Sequence, residues 1–296
     1  MFFWTRTMTY TNNYLERIES LRRLLDEADA IIVGAGAGLS SAAGIQYSGP
    51  EFERTFKPWI ERYGITDLYT SSFYPFETQE ELWAYWAMHV WFARYRPDAM
   101  PLYRQLYDLL KDRNCFVITT NVDGQFEKAG FDPDRIFATQ GDYGLFQPKT
   151  GRPGITWSNR EWVDQVLPMI KDYRIPSDMV PRVPGTDDEV AMNLRCDNTF
   201  VEDERWHVQD GRYYDFVEEN KYGRLLLLEF GVGFNTPVII RFPFERMAAQ
   251  WKHTTLVRFN SEEQQSYTPD LTRLIGFRED IGRVLSDTLT FLIKMH

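Results

Sequence analysis

The segment best suited to hold a phosphate is residues 34–44, which consist almost entirely of glycine, alanine and serine. An apolar run over residues 30–33 comes directly before it and predicts a buried parallel strand, and the small residues at its end suit the start of a helix. At such a junction the backbone N–H groups point at an anion, the helix dipole favours negative charge, and glycine lets the chain come close. The segment therefore predicts a nucleotide phosphate site.

A second interpretation of the same glycines stays open, namely a tight structural turn between a core strand and a helix. The dinucleotide-binding pattern of dehydrogenases needs a third glycine at its sixth position. Leu39 stands there when the count begins at Gly34, and Ser41 stands there when it begins at Gly36. The glycines alone favour a nucleotide site only slightly, so other segments must decide.

A further group of polar residues follows another predicted strand. Residues 115–119 are apolar or β-branched, and Thr120, Asn121 and Asp123 come directly after them. In open parallel sheets, ligands bind just beyond the carboxyl ends of the strands, which places these side chains where chemistry occurs. The alternative is structural, because Asp123 is also well placed to cap a helix predicted over residues 125–129.

The rest of the chain alternates strands with helices. Short apolar runs predict strands over residues 30–33, 115–119, 136–139, 224–230, 238–241 and 254–259. Apolar residues at helical spacing predict helices over residues 11–28, 80–95, 102–110, 125–129 and 270–291. Residues 142–222 contain six prolines and no long periodic run, which predicts a loop-dominated module. The alternation favours the α/β class, with a Rossmann-like doubly wound parallel sheet.

Two interruptions of the sheet pattern predict five segments. The Rossmann part comprises residues 1–50, 101–145 and 223–296, a helical insertion occupies residues 51–100, and a small loop-rich module occupies residues 146–222. The insertion is crowded with aromatic side chains. Most of them are expected to form ordinary core, and their density also suits the wall of a dry pocket.

Composition limits the classes of partner. The formal net charge of −10 argues against non-specific binding to nucleic acid or to an acidic membrane surface. Glu229 interrupts the apolar stretch over residues 225–234, so no membrane-spanning segment is expected. The two cysteines, Cys115 and Cys196, cannot form a disulfide framework and fit the reducing cytoplasm.

Taken together, the ends of the predicted strands resemble the motifs of the sirtuin family. The residues that carry this resemblance are Gly36, Ala37, Gly38, Ser40, Gly44 and Ile45, then Thr119, Asn121, Val122, Asp123 and Gly124, then Gln140 and Gly141, then Gly231, Val232 and Gly233, and finally Asn260. They occur in the order of the family's motifs and cover nearly the whole Rossmann part. The resemblance implies NAD as the cofactor, with Ser40 at the phosphates and Asn260 at the adenosine ribose. A strand-end cap explains Asn260 equally well.

Several positions depart from the family pattern. Gln46, Tyr47 and Ser48 replace an acid and an arginine, and Tyr47 is kept among the predicted cofactor-binding residues. Gln140 stands where sirtuins have a catalytic histidine. The small module of the family holds zinc with two cysteine pairs, whereas here only Cys196 falls within it. Because a closed site of that kind needs four thiolates, we expect a degenerate, zinc-less module and no metal.

The resemblance also implies roles for single residues. Asn121 would hold the ribose or an ordered water, and Asp123 would bind the nicotinamide carboxamide. Gln140 has no titration near neutral pH and cannot serve as the deacylase base. Losing such a base typically costs about a hundredfold to ten-thousandfold in rate, so efficient deacylation is not expected. Capture of the ribosyl group by another nucleophile does not need that step, and Gln140 would then orient the acceptor.

A glutamine at this position in a zinc-less chain is similar to the macrodomain-linked, class M sirtuins of pathogenic bacteria. That similarity implies a protein ADP-ribosyltransferase that modifies a lipoyl-carrier protein like the glycine-cleavage H protein, with a macrodomain hydrolase as a possible partner and a link to oxidative stress. Arg195 is a candidate for holding the phosphates or the lipoyl-bearing partner, and a surface salt bridge explains it equally well. Three alternatives stay open: an NAD glycohydrolase, a non-catalytic NAD-sensing module, and a residual deacylase.

Overall fold

The computed structural model describes residues 13–45, 47–234, 236–262, 265–268 and 271–293. Gln46, one of the departures from the family pattern, lies outside the described residues, as do residues 11, 12 and 270 at the ends of two predicted helices.

The strands are β1 (Ala30–Ala35), β2 (Cys115–Thr119), β3 (Ile136–Ala138), β4 (Gly141–Pro148), β5 (Trp157–Ser158), β6 (Val190–Leu194), β7 (Leu225–Phe230), β8 (Thr255–Phe259) and β9 (Leu274–Phe277). The α-helices are α1 (Tyr14–Glu27), α2 (Ala37–Ala43), α3 (Pro50–Tyr63), α4 (Leu68–Ser71), α5 (Gln79–Val90), α6 (Pro101–Leu110), α7 (Gln125–Ala129), α8 (Arg160–Val166), α9 (Glu204–Asn220), α10 (Arg241–Gln250) and α11 (Ile281–Ile293).

A parallel sheet forms the centre of the molecule. In the described part of the chain it has six strands in the order β3–β2–β1–β7–β8–β9. Helices α1, α6 and α11 pack on one face, and α9 and α10 pack on the other. Both faces are therefore apolar, which explains why the strands read as continuous hydrophobic runs. The predicted α/β class and doubly wound sheet are confirmed, and the order of the strands reverses between β1 and β7, where such folds bind their ligands.

Glycines bring the loops after β1 and β7 into direct contact. The N–H of Gly38 donates to the carbonyl of Gly231 at 3.0 Å. A Cβ on Gly38 would lie 2.7 Å from the Cα of Gly231, and a Cβ on Gly231 would lie 2.4 Å from the carbonyl carbon of Gly38. Gly231 also has a positive φ of 57°, which glycine adopts at no steric cost. Only glycine at these two positions allows the loops to meet.

A buried ion network fixes the far side of the β7 loop. Arg258 on β8 donates to Glu229 on β7 at 2.7 Å and to Glu245 on α10 at 2.8 Å, and all three side chains are fully buried. Arg241 on α10 donates to the carbonyl of Val232 at 3.2 Å. Because a buried charge is tolerated only when it is paired, these contacts hold α10 and the loop in one arrangement.

The helical insertion and the small antiparallel sheet share a second core. In the described residues this sheet has the order β5–β4–β6. Trp83 on α5 packs against Phe146 on β4 with ring centroids 5.3 Å apart. Helix α5 continues into one π-helical turn, Trp91–Tyr95, a feature that often marks functional sites. Gln140 lies between β3 of the large sheet and β4 of the small one, so it joins the two cores.

Three sequence predictions of secondary structure are wrong. Residues 238–241 form a turn and the start of α10, because an apolar run this short suits a turn as well as a strand. The helix predicted over residues 270–291 contains β9 before α11 begins. Residues 142–222 are not dominated by loops, since they contain most of the three-stranded sheet β5–β4–β6 and the 17-residue helix α9.

The packing of α9 bears on the division into domains. Its residues Tyr213 and Phe216 pack against Phe116 on β2, within the core of the large sheet. We therefore propose that residues 204–220 belong with the Rossmann part and that the small module ends before them. The other predicted boundaries stay as proposed.

Substituting Gly38 tests the contact between the loops. We expect Gly38→Ala to lower the free energy of unfolding by about 1–3 kcal/mol, because the added methyl group overpacks against the Gly231 backbone. Gly233→Ala is the matched control in the same loop pair, since no atom lies within 4 Å of a Cβ at that position. Urea unfolding measures both variants, and equal stabilities would contradict the close approach.

Burial of His89 makes stability depend on pH. The side chain is fully buried, and desolvation lowers the pKa of its imidazole from 6.5 to about 3. The unfolded chain binds a proton near pH 6.5 and the folded chain does not, so stability is present above that pH and is lost as the pH falls toward 3. We expect His89 to account for a loss of about 2 kcal/mol between pH 7 and pH 5.

His89→Gln, whose side chain does not titrate, should remove this part of the pH dependence. His253→Gln, at an exposed histidine, should keep it. The measurement is the unfolding free energy of each variant at pH 7 and pH 5. A His89→Gln protein that loses as much stability as the wild type over this range would contradict the assignment.

Candidate active site

A cavity of about 770 Å³ opens where the order of the central sheet reverses. Residues one or two positions beyond the ends of four parallel strands line it, namely Gly36, Asn121, Gly231 and Asn260. Tyr69 on α4 and Leu194 at the end of β6 also line the cavity. Ligand sites in proteins commonly have volumes of about 300–1,000 Å³, so the cavity is large enough for a nucleotide.

Most of the predicted site residues line this cavity. They are Gly36, Ala37, Gly38, Tyr47, Asn121, Gln140, Arg195, Gly231, Val232, Gly233 and Asn260. Four others lie behind its surface or beside it. Ser40 and Asp123 are buried beneath the lining, Ile45 is buried in the core, and Gly44 ends α2 with a φ of 101°.

A buried polar layer supports the loop that carries Asn121. Ser40 donates to one oxygen of Asp123 at 2.5 Å, and the N–H of Gln125 donates to the other at 3.0 Å. The Tyr103 hydroxyl lies 2.9 Å from the Ser40 hydroxyl, and the Asn121 amide donates to Tyr103 at 3.3 Å. Burial raises the pKa of the Asp123 carboxyl above its usual value. The N-cap residue of α7 is Gly124 and not Asp123 as the structural alternative predicted, although Asp123 does accept from the first N–H of that helix and lies next to the cavity.

Gln140 and Arg195 are held against each other at the boundary between the two sheets. The N–H of Arg195 donates to the Gln140 carbonyl at 3.1 Å, and its guanidinium donates to the Thr139 carbonyl at 3.3 Å. Arg195 also pairs with Glu202 at 2.6 Å. Arg195 thus supports the backbone of Gln140 while it lines the cavity, and the predicted salt bridge is present as well.

An ion pair fixes the strand that begins just after Gln140. Arg94, in the π-helical turn, donates to both oxygens of Asp142, at 2.8 and 3.1 Å. A Cβ on Gly124 would lie 2.2 Å from the Arg94 guanidinium carbon, so the arginine also lies against the Asn121 loop. One side chain of the insertion therefore positions two segments of the site.

Aromatic side chains form the walls of the cavity. Tyr47 and Tyr143 line it, and burial raises the pKa of both hydroxyls, so both stay protonated near neutral pH. Tyr69 and Phe73 are exposed at the mouth with ring centroids 5.6 Å apart. Cys196, an exposed free cysteine, also lines the cavity, and partial desolvation raises the pKa of its thiol.

Asn260 makes the strand-end contacts that one of its two interpretations predicted. Its amide donates to the carbonyl of Val232 at 3.1 Å, and its side-chain oxygen accepts from the N–H of Glu262 at 3.0 Å. It therefore caps the end of β8 and joins that end to the β7 loop. It also lines the cavity, where it remains a predicted ligand of the adenosine ribose.

Sequence reasoning missed Tyr103 and Arg94. Tyr103 lies on the buried face of the amphipathic helix α6, where an aromatic residue is expected to be core, and no local pattern marks its hydroxyl as part of the site. Arg94 is one of many charged residues in a helical segment. Its partner Asp142 follows Gln140 by two positions, and that spacing was the one available signal.

Neither a metal cluster nor a membrane span was found in the described ranges. No group of three or more His, Cys, Asp or Glu side chains there could hold a metal ion. No described helix is long and apolar enough to cross a membrane.

The chain resembles known proteins in sequence. No family model matches it. It is 30% identical over 287 residues to a protein ADP-ribosyltransferase of Staphylococcus aureus, covering 97% of this chain and 91% of that protein. It is 29% identical over 239 residues to a probable bifunctional ADP-ribose hydrolase/ADP-ribosyltransferase of Fusarium oxysporum f. sp. cubense, covering 76% of this chain and 39% of that protein.

Solved structures show the same architecture. The structure of Sir2Tm with a propionylated peptide matches with a TM-score of 0.58 at 15% identity, over 93% of this chain and 98% of that one. A complex of Sir2 with a p53 peptide and NAD⁺ matches with a TM-score of 0.57 at 15% identity, over 94% and 99%. The fold is therefore that of the sirtuins, and the near full-length relationship to the staphylococcal enzyme shows that this chain belongs to the family of sirtuin-like protein ADP-ribosyltransferases.

Proposed function

We propose that the protein transfers ADP-ribose from NAD to a protein acceptor. The observation that carries this proposal is Gln140, which lines the cavity where a deacylase of this fold would need an imidazole base. A glutamine amide hydrogen-bonds but cannot take up a proton near neutral pH. The family relationship supports the same activity.

The residues of the cavity fit NAD. Gly36, Ala37 and Gly38 line the cavity at the loop after β1 with no side chain larger than a methyl group, which suits the approach of a pyrophosphate to the backbone. The overall charge of −10 repels an anion, so local cations matter. Among the described lining residues, these cations are Arg195 and Arg278. We assign the loop to the phosphates. Ser40, which was predicted to bind them, is fully buried and donates its one hydroxyl proton to Asp123, so we assign it to the support of the loop instead.

The other predicted NAD-binding residues fall into two groups, one for each end of the dinucleotide. We assign Gly231, Val232, Gly233 and Asn260 to the adenosine end, and Tyr47, Asn121 and Asp123 to the nicotinamide end, with Gly44 and Ile45 shaping the turn behind them. Asp123 already accepts two hydrogen bonds within the protein. Each carboxylate oxygen has a second lone pair, so Asp123 can still accept one from a carboxamide.

The chain's own groups suit glycosyl transfer. When bound, NAD supplies a ribose carbon that becomes electron-poor as nicotinamide departs. Asn121 lines the cavity and Asp123 lies buried behind it, so their amide and carboxylate dipoles act close to aromatic walls, where low dielectric strengthens their effect. Gln140 would orient the acceptor side chain, and Arg195 would keep Gln140 in place or hold the phosphates or the acceptor protein.

For the acceptor we propose a lipoylated carrier protein similar to the glycine-cleavage H protein. The resemblance to class M sirtuins supports this choice, and the exposed Tyr69 and Phe73 at the mouth would accommodate an apolar arm. A macrodomain hydrolase would be the partner that removes the modification. We place the reaction in the cytoplasm because neither free cysteine needs an oxidising compartment, and we expect no nucleic-acid or membrane partner.

Labelled NAD tests the proposal directly. The protein is incubated with adenylate-labelled NAD and either a lipoylated carrier protein or the same carrier without lipoate. We expect label on the lipoylated carrier alone. Label on both carriers keeps the transferase and overturns the lipoyl requirement. Free ADP-ribose in both arms indicates an NAD glycohydrolase, and unchanged NAD indicates a sensing module.

Replacement of Asn121 separates an enzyme from a sensor. We expect Asn121→Ala to lower the rate of nicotinamide release at least about a hundredfold, as removal of an electrostatic stabiliser does. The control is Asn114→Ala at the opposite end of β2, where the side chain is exposed and donates to the carbonyl of Asp29. Nicotinamide release by each variant is the measurement. An Asn121→Ala protein as active as the control would show that Asn121 only supports the fold.

A further inference from the structure

The Asn121 amide is oriented from behind by a chain of hydrogen bonds. Its Nδ2 donates to the carbonyl of Gly36 at 3.0 Å and to the hydroxyl of Tyr103 at 3.3 Å. An amide nitrogen carries two protons, and both are used by these contacts. The N–H of Asn121 is also held, since it donates to the Thr119 hydroxyl at 3.0 Å. The side-chain oxygen is thus left as the group that Asn121 presents to the cavity.

Asp123, at the other end of this series of hydrogen bonds, determines which group donates in each of them. Asp123 accepts from the N–H of Gln125 and from Ser40, so its carboxylate acts as an acceptor at both oxygens. A Ser40 hydroxyl that donates to Asp123 must accept from the Tyr103 hydroxyl, which lies 2.9 Å away. Tyr103 then has its oxygen free to accept from Asn121. Each donor in the series finds one acceptor.

These hydrogen bonds are buried, so turning the Asn121 amide the wrong way would cost free energy. Tyr103 and Ser40 are fully buried, and Asp123 and Asn121 nearly so. In such an environment an unpaired donor or acceptor loses the full free energy of its solvation. Turning the Asn121 amide around would place its oxygen against the carbonyl of Gly36, where it could accept nothing. The orientation of the amide is therefore determined by its surroundings.

We infer that Tyr103 is a positioning residue that fixes the Asn121 side-chain oxygen toward the cavity, as an acceptor for a ribose hydroxyl or an ordered water. This inference rests on the proposed function for the identity of the ligand, whereas the orientation itself does not depend on it. Tyr103 makes its contribution through Asn121, and it is absent from the residues that line the cavity.

Tyr103→Phe tests the inference because it removes only the hydroxyl. We expect the turnover number for nicotinamide release to fall about tenfold, the usual effect of one lost hydrogen bond, while KM for NAD changes less than about twofold. In an Asn121→Ala background, Tyr103→Phe should have an additional effect of less than about twofold, because the two residues act as one unit. Effects that multiply in the double variant would overturn the inference.

Tyr107→Phe is the matched control on the same helix. Tyr107 packs against Phe131 and does not line the cavity. We expect it to leave both kinetic constants unchanged. A loss of turnover equal to that of Tyr103→Phe would mean that α6 tolerates neither change and that the hydroxyl has no special role.

A measurement without turnover separates this inference from the proposed function. In the nitrogen-15 labelled free protein, both side-chain amide protons of Asn121 should exchange with solvent at least about tenfold more slowly than those of the exposed Asn114, and Tyr103→Phe should remove part of that protection. Fast exchange at Asn121 would overturn the inference even if the protein is an active transferase. Slow exchange in a protein that releases no nicotinamide would keep the inference and overturn the proposed function.

Discussion

The contact between two glycine-containing loops is the constraint on which the site depends. Gly38 after β1 and Gly231 after β7 meet with backbone atoms closer than any Cβ would permit. This contact occurs where the order of the sheet reverses, so it forms the floor of the cavity and determines how near a ligand can approach the backbone. The buried ions around Arg258 hold the second loop from the other side. A small change in either loop would alter the shape of the floor.

Polar contacts from other parts of the fold hold the remaining site residues, Gln140 and Asn121, in place. Gln140 lies between the two sheets, and Arg195 and Arg94 restrain the chain on either side of it. Asn121 is restrained from below by Tyr103. The arrangement is therefore rigid at the residues that would contact a ribose. The exposed aromatic side chains of Tyr69 and Phe73 lie at the mouth of the cavity, where an acceptor would enter. We propose that in this geometry Gln140, an amide in place of a deacylase's imidazole, changes the chemistry without changing the framework.

The sequence predicted the fold class and most strands of the sheet because each strand is a short apolar run with both faces buried. It failed for residues 238–241 and for β9, where each run holds only three large apolar residues and suits a strand, a turn or a helix equally. It also missed α9, whose apolar positions are sparse among charges. The glycine loops and strand ends could be predicted from local motifs. Tyr103 and Arg94 could not, since their partners lie at least 18 positions away in the chain and only the folded structure brings them together.

The most direct test of the central claim is a crystal structure of the protein with a hydrolysis-resistant NAD analogue. The account predicts the pyrophosphate at residues 36–38 and the nicotinamide ribose against Asn121, with the Gln140 amide about 3 Å from a ribose oxygen. An analogue bound elsewhere, or bound in the cavity with Gln140 turned away from the ribose, would contradict it.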